Sequence, residues 1–125
     1  MKKEIKTLNA PKAIGAYSQA ILANGFLFIS GQIPINPKNL EIADGIENQT
    51  HQVMKNLLAI LEAENLNFSN VAKSSIFIKD MNQFSIINEI YASYFENIIP
   101  PARETVEVSN LPKNVSIEIS MIALK

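Results

Sequence analysis

Residues Val115 to Leu124 read "VSIEISMIAL", a run of strand length that alternates with period two. Val115, Ile117, Ile119, Met121 and Ala123 make one face, and Ser116, Glu118, Ser120, Ile122 and Leu124 make the other. The first face belongs against a core. The second is neither core nor ordinary surface, because a carboxylate and serines lead into Ile122 and Leu124. A mixed patch of that kind marks a subunit interface, so the pattern predicts a homo-oligomer that closes over it. In the preceding run, "RETVEV", Arg103, Thr105 and Glu107 alternate against Val106 and Val108, which places Arg103 and Glu118 on one polar face by expectation. A surface salt bridge is the simpler use of such a pair.

Upstream, "AYSQAILANGFLFIS" holds two apolar stretches around Asn24-Gly25, the dipeptide suited to both central positions of a type I′ turn, and predicts a β-hairpin. Phe26 to Ile29 are apolar at every position, which predicts burial on both faces. After the loop "SGQIPINPKNLEIADG", Asp44 is placed to cap a helix whose Val53, Met54, Leu57, Leu58 and Leu61 form one stripe. "VAKSSIFIK" reads as a strand from Val71. Asp80 or Asn82 then caps a second helix, with Phe84, Ile87, Tyr91 and Tyr94 or Phe95 as its buried stripe. The order β, hairpin, α, β, α, β, β predicts an α+β fold: one mixed sheet with both helices packed on one face.

A chain of 125 residues with 47% hydrophobic and 18% charged residues fits a single domain, residues 1–125. Eleven Lys and Arg against twelve Asp and Glu give a net charge of −1, with no basic stripe to neutralise phosphates, so no nucleic-acid partner is expected. The absence of cysteine excludes disulfides, thiolate catalysis and thiolate metal sites, and the single histidine, His51, leaves no ligand set for zinc. No Gly-rich phosphate loop points to a nucleotide, and no cofactor or metal is expected. Neither a signal-like apolar segment nor a membrane span is read in the chain, so the cytoplasm is the expected location.

Arg103 stands in "PPARETVEV", behind a rigid Pro100-Pro101 step. A guanidinium presented from so stiff a base suits a carboxylate or phosphate, although most arginines are simply solvated surface residues.

"NAPKAIGAYSQA", "FISGQIP", "QTHQVMKNLLAILEA", "SIFIKDMNQFSIINEIYASYF" and "PPARETVEVSNLPKNVSIEISMIAL" together resemble the RidA (YjgF) family of imine and enamine deaminases, from Asn9 to Leu124. The resemblance implies a chorismate-mutase-like fold, a homotrimer with ligand sites between subunits, and hydrolysis of 2-imino acids (2-iminobutyrate, 2-iminopropionate) and their enamine tautomers to 2-oxo acids and ammonia. The family's functional positions fall on Tyr17, Ser30, Gly31, Asn88, Arg103 and Glu118. Two departures occur: Ala16 stands where many members have Pro, and Thr105 replaces a common cysteine while keeping a main-chain N–H for ligand contact.

On that resemblance Arg103 anchors the substrate α-carboxylate, and Glu118, its pKa raised by burial, moves the protons. Ser30 and amides around Gly31 orient the water or the imine nitrogen. Tyr17 closes the cleft over the substrate side chain, with core packing as the alternative, and Asn88 is a ligand contact or a buried strut. A non-catalytic module binding 2-oxo acids is the competing reading. RNA cleavage or a chaperone-like role is a third.

Overall fold

A computed structural model describes all residues, Met1 to Lys125. Six strands form one sheet: β1 (Lys3–Ile5), β2 (Ala20–Ala23), β3 (Phe26–Gln32), β4 (Val71–Ile78), β5 (Ala102–Glu107) and β6 (Ile117–Leu124). Their spatial order is β1-β2-β3-β6-β4-β5, antiparallel throughout except for the parallel β4–β5 pair. Parallel neighbours need a crossover, which α2 (Phe84–Ser93) supplies; α1 (Ile46–Glu62) joins β3 to β4 and packs beside α2.

The β2–β3 hairpin turns at Asn24 and Gly25, with φ values of 56° and 81°, as a type I′ turn requires. Along β6 the alternation holds: Ile117, Ile119, Met121 and Ala123 are fully buried under the helices, and Glu118, Ser120 and Ile122 are half-buried on the opposite face. Val53, Met54, Leu57, Ile60 and Leu61 of α1 meet that core at 0% exposure. Each large aliphatic side chain so buried contributes about 1.5–3 kcal/mol.

Three sequence expectations change. Phe26 to Ile29 are not buried on both faces: Leu27 and Ile29 enter the core, whereas Phe26 and Phe28 stay 43% and 45% exposed. They stack at 6.1 Å and pair across the ladder with Leu124 and Ile122, so the helix-free face carries an apolar patch that nothing within the chain covers. Asp44 does not cap α1. Gly45 takes the N-cap with φ 81°, a conformation L-residues avoid, and the Asp44 carbonyl instead accepts from Asn48 Nδ2 at 3.0 Å. Neither Asp80 nor Asn82 caps α2, whose N-cap is Gln83 without a side-chain bond; the Asp80 carboxylate instead accepts from Asn82 N at 2.9 Å and caps the 3₁₀ turn Met81–Gln83 that feeds the helix. In α2, Ile87 and Tyr91 are buried, with Phe95 just beyond the helix end, whereas Phe84 and Tyr94 are half-buried. No helix is long and apolar enough to cross a membrane.

Candidate active site

Arg103 and its surroundings form one cluster. In the parallel register Arg103 lies beside Ser74 and Thr105 beside Ile76, both of which face the helices, so Arg103 rises on the helix side of the sheet at its edge. There its Nη1 donates to Asn88 Oδ1 at 2.7 Å, and its Cζ lies 5.1 Å from the Tyr91 ring centroid and 5.8 Å from that of Phe84. Pro100 and Pro101 form the lip of a cavity of about 500 Å³ floored by Asn88, Tyr91, Ala92 and Phe95. None of the ion pairs in the fold uses Arg103. Thr105, two residues on, has a buried Oγ1 with no hydrogen-bond partner.

Glu118 belongs elsewhere. It pairs with Phe77, whose alternation puts it opposite Ile76 and Ile78, so Glu118 lies on the helix-free face. Arg103 and Glu118 therefore do not share a polar face. Parity alone could not relate them, because β4 stands between β5 and β6 and its parallel register with β5 sets Arg103 against the core-facing Ser74. The helix-free face of β5 bears the exposed Glu104, paired with Lys73 at 2.9 Å and with the Ser75 hydroxyl.

A β-bulge shapes the Glu118 cluster. Ile29 pairs with Met121 and Gln32 with Ile119, which leaves Ser30 and Gly31 together opposite Ser120. The bulge brings the Gly31 main chain against the Glu118 carboxylate: a β-carbon at residue 31 would stand 2.6 Å from Oε2. Desolvation raises the pKa of the Glu118 carboxyl from its ordinary value, with no cation nearby to offset it. The bulge is pinned by the Ser30 hydroxyl, which donates to Ser18 O at 2.6 Å, and by Ser30 N, which donates to Gln19 O at 3.0 Å.

Beside Gly31 opens a second cavity, of about 300 Å³, bordered by Lys12, Ile14, Tyr17, Gln32, Ile33 and Lys113. Tyr17 is 53% exposed, so core packing is not its role. The loop carrying it is held by Gln19, a residue sequence reasoning passed over. Gln19 is 4% exposed; its Nε2 donates to the Pro11 and Thr7 carbonyls at 2.8 and 3.1 Å, and its Oε1 accepts from Thr7 N at 2.8 Å. A buried amide with no apolar periodicity of its own offered little signal; and the run from Ser30, read from sequence as loop, stays in β3 as far as Gln32, because the bulge lets the strand continue past Gly31.

The seven sequence-derived residues thus separate into two groups in one chain: Arg103, Asn88 and Thr105 on the helix side, and Glu118, Gly31, Ser30 and Tyr17 around the bulge. No group of three or more His, Asp or Glu side chains converges to hold a metal ion.

Residues 7–125 match the family model described as endoribonuclease L-PSP. A RutC family protein of Pyrococcus horikoshii, PH0854, is 56% identical over 126 residues, covering 100% of this chain and 99% of its own. Among solved structures, the conserved Rid-family protein YyfA of Yersinia pestis superposes with a TM-score of 0.98 at 50% identity over 100% of both chains. TdcF of E. coli, solved with bound serine, gives 0.95 at 38% identity over 98% of each chain. The six-stranded mixed sheet with its two helices is the architecture of these proteins, and the chain belongs to the Rid (endoribonuclease L-PSP) family.

Proposed function

We propose that the protein hydrolyses reactive 2-imino acids, 2-iminobutyrate and 2-iminopropionate among them, and their enamine tautomers to 2-oxo acids and ammonia. Its sites are composed of the Arg103 cluster of one copy and the Glu118 cluster of the next, in a homotrimer. One observation carries this reading. A guanidinium without a carboxylate partner and a desolvated carboxyl without a cationic partner stand on opposite faces of one sheet, each beside an open cavity. Cyclic assembly through the uncovered Phe26–Phe28 face brings such surfaces of neighbouring copies together.

In that cleft Arg103 receives the α-carboxylate on two parallel N–H bonds, since its bond to Asn88 occupies one donor and leaves the fork to the ligand. Glu118, in its protonated form, gives its proton to the imine nitrogen and makes the carbon electrophilic. The carboxylate so formed takes a proton from the water that attacks this carbon. Glu118 next protonates the amine of the carbinolamine, ammonia leaves, and the hydroxyl proton returns to Glu118 as the 2-oxo acid forms. Ser30 and the Gly31 amide orient the water or the imine nitrogen, Thr105 contributes its main-chain N–H, and Tyr17 covers the side chain. The serine held by TdcF carries the same α-carboxylate, which supports an amino-acid-like ligand here.

The family description suggests RNA cleavage, but a net charge of −1 with scattered lysines offers no phosphate-tracking surface. A carboxylate-binding module without turnover fits the Arg103 cluster equally well, and ammonia release decides between them. With 2-iminobutyrate generated in situ by a pyridoxal-phosphate dehydratase acting on threonine, the protein is expected to accelerate 2-oxobutyrate and ammonia formation and Arg103→Ala to abolish the acceleration. Binding of 2-oxobutyrate by the wild type without any acceleration would establish the module instead.

A further inference from the structure

Behind Arg103 lies a closed loop of contacts that neither the motif nor the hydrogen bond to Asn88 accounts for. Tyr91 presents its ring to the guanidinium at 5.1 Å, and its hydroxyl donates to Ser74 Oγ at 2.9 Å in a fully buried contact. Ser74, at 0% exposure, is in turn the register partner of Arg103 on the parallel β4–β5 pair. Strand pairing, hydroxyl bond and ring contact thus return to the residue from which they start. A long arginine on a sheet edge would otherwise sample several rotamers, and each would have to be frozen out on binding.

We infer that Tyr91 and Ser74 are positioning residues for carboxylate recognition: the ring is a shelf that fixes the guanidinium plane, and Ser74 fixes the shelf. The shelf works with Asn88 rather than repeating it. Asn88 pins one nitrogen at the edge, and the aromatic face restrains tilt out of the plane, so together they aim the remaining N–H groups across the mouth of the cavity. Phe84, at 5.8 Å, closes the other flank. Burial pushes the Tyr91 hydroxyl above its ordinary pKa, so it remains a neutral donor to Ser74 across the physiological range. A tyrosine serving only as core filler would need neither a cation over its face nor a hydroxyl partner from the strand that registers that cation.

This inference rests on Arg103 being the carboxylate anchor, and the test separates the two. The probes are 2-oxobutyrate and its carboxamide, bound to the full-length wild type, Tyr91→Leu, Tyr91→Phe and Ser74→Ala, with thermal unfolding followed in parallel. If the wild type does not prefer the carboxylate over the carboxamide, the anchor reading fails. If it does, Tyr91→Leu is expected to weaken 2-oxobutyrate about tenfold, the scale of a partly desolvated cation–π contact, with the carboxamide little changed. Tyr91→Phe, which keeps the ring, should recover most of that loss. In turnover the loss should appear in KM rather than kcat. A folded Tyr91→Leu that keeps the wild-type carboxylate preference would overturn the inference. Should Tyr91→Leu fail to fold, Ser74→Ala decides: it is expected to lower the preference about threefold through a loosened shelf, and an unchanged preference would overturn the proposal.

Discussion

Gly31 and Glu118 touch across the β3–β6 pair so closely that any side chain at position 31 would have to displace the carboxylate: an added β-carbon would lie 2.6 Å from Oε2 and 2.8 Å from the carboxyl carbon. The glycine thus sets where the carboxyl sits and removes water from one side of it. Gly31→Ala must push the Glu118 side chain outward. We expect a fall in kcat of at least about tenfold with 2-oxobutyrate binding retained, the pattern of a displaced acid–base group. Steady-state kinetics beside calorimetric binding checks it, and unchanged kcat would show that the contact is incidental.

Burial raises the Glu118 pKa in the folded protein, so the native state holds this proton more tightly than the unfolded chain does. Its contribution to stability is therefore complete below the unfolded pKa and is lost as pH rises through the folded one. Glu118→Gln removes that loss. The variant should be more stable than wild type at neutral pH, with the gap closing on acidification, while turnover drops about 100- to 10,000-fold. Denaturation across pH 4 to 8, compared with activity, tests both arms together. A variant within threefold of wild-type turnover would return Glu118 to the scaffold.

Two clusters on opposite faces of one sheet make a mixing experiment decisive. Arg103→Ala and Glu118→Gln chains, each inactive alone, should complement after co-refolding, because some clefts then join an intact Arg103 to an intact Glu118. Random equal mixing restores about a quarter of the sites in a cyclic assembly. Light scattering should report three times 13.9 kDa. Failure to complement in a verified mixed trimer would place both residues' work within a single subunit.

Thr105 has a hydroxyl buried without a partner, an unusual and unfavourable state. Replacing it by the near-isosteric valine should leave stability unchanged or raise it by about 1 kcal/mol, with activity largely kept, since the main-chain N–H survives. Thermal melts and kinetics of Thr105→Val give the answer. A folded variant that binds 2-oxobutyrate but does not hydrolyse imines would make that hydroxyl a participant.

Element types were legible in the sequence because period-two and helical patterning report which side chains must leave water. That argument placed the α1 stripe, Ile87 and Tyr91 of α2 and the buried side of β6, while the Asn24-Gly25 turn was legible from the positive φ that both residues accept. Facing was not legible across strands that are not neighbours. Whether Arg103 and Glu118 share a face depends on β4 being inserted between them and on its parallel pairing with β5, which are properties of topology rather than of local pattern. The Phe26–Phe28 stretch misled for a related reason, since patterning says that a face must be covered without saying whether the cover lies in the same chain. At the α1 start, backbone conformation overrode propensity: φ 81° at residue 45 gave the cap to glycine and left Asp44 outside.

The parallel β4–β5 pair has a consequence for the order in which the molecule assembles. Everything that holds Arg103, from Ser74 through Asn88 and Tyr91 to the arginine itself, comes from one uninterrupted β-α-β segment. The surroundings of Glu118 instead gather Tyr17, Gly31 and residue 118 from the two ends of the chain, across a far larger loop-closure entropy. During folding, amides of β4 and α2 should gain protection from hydrogen exchange before those of β3 and β6. The carboxylate-holding segment would then mature first, and the proton-transfer segment would complete last.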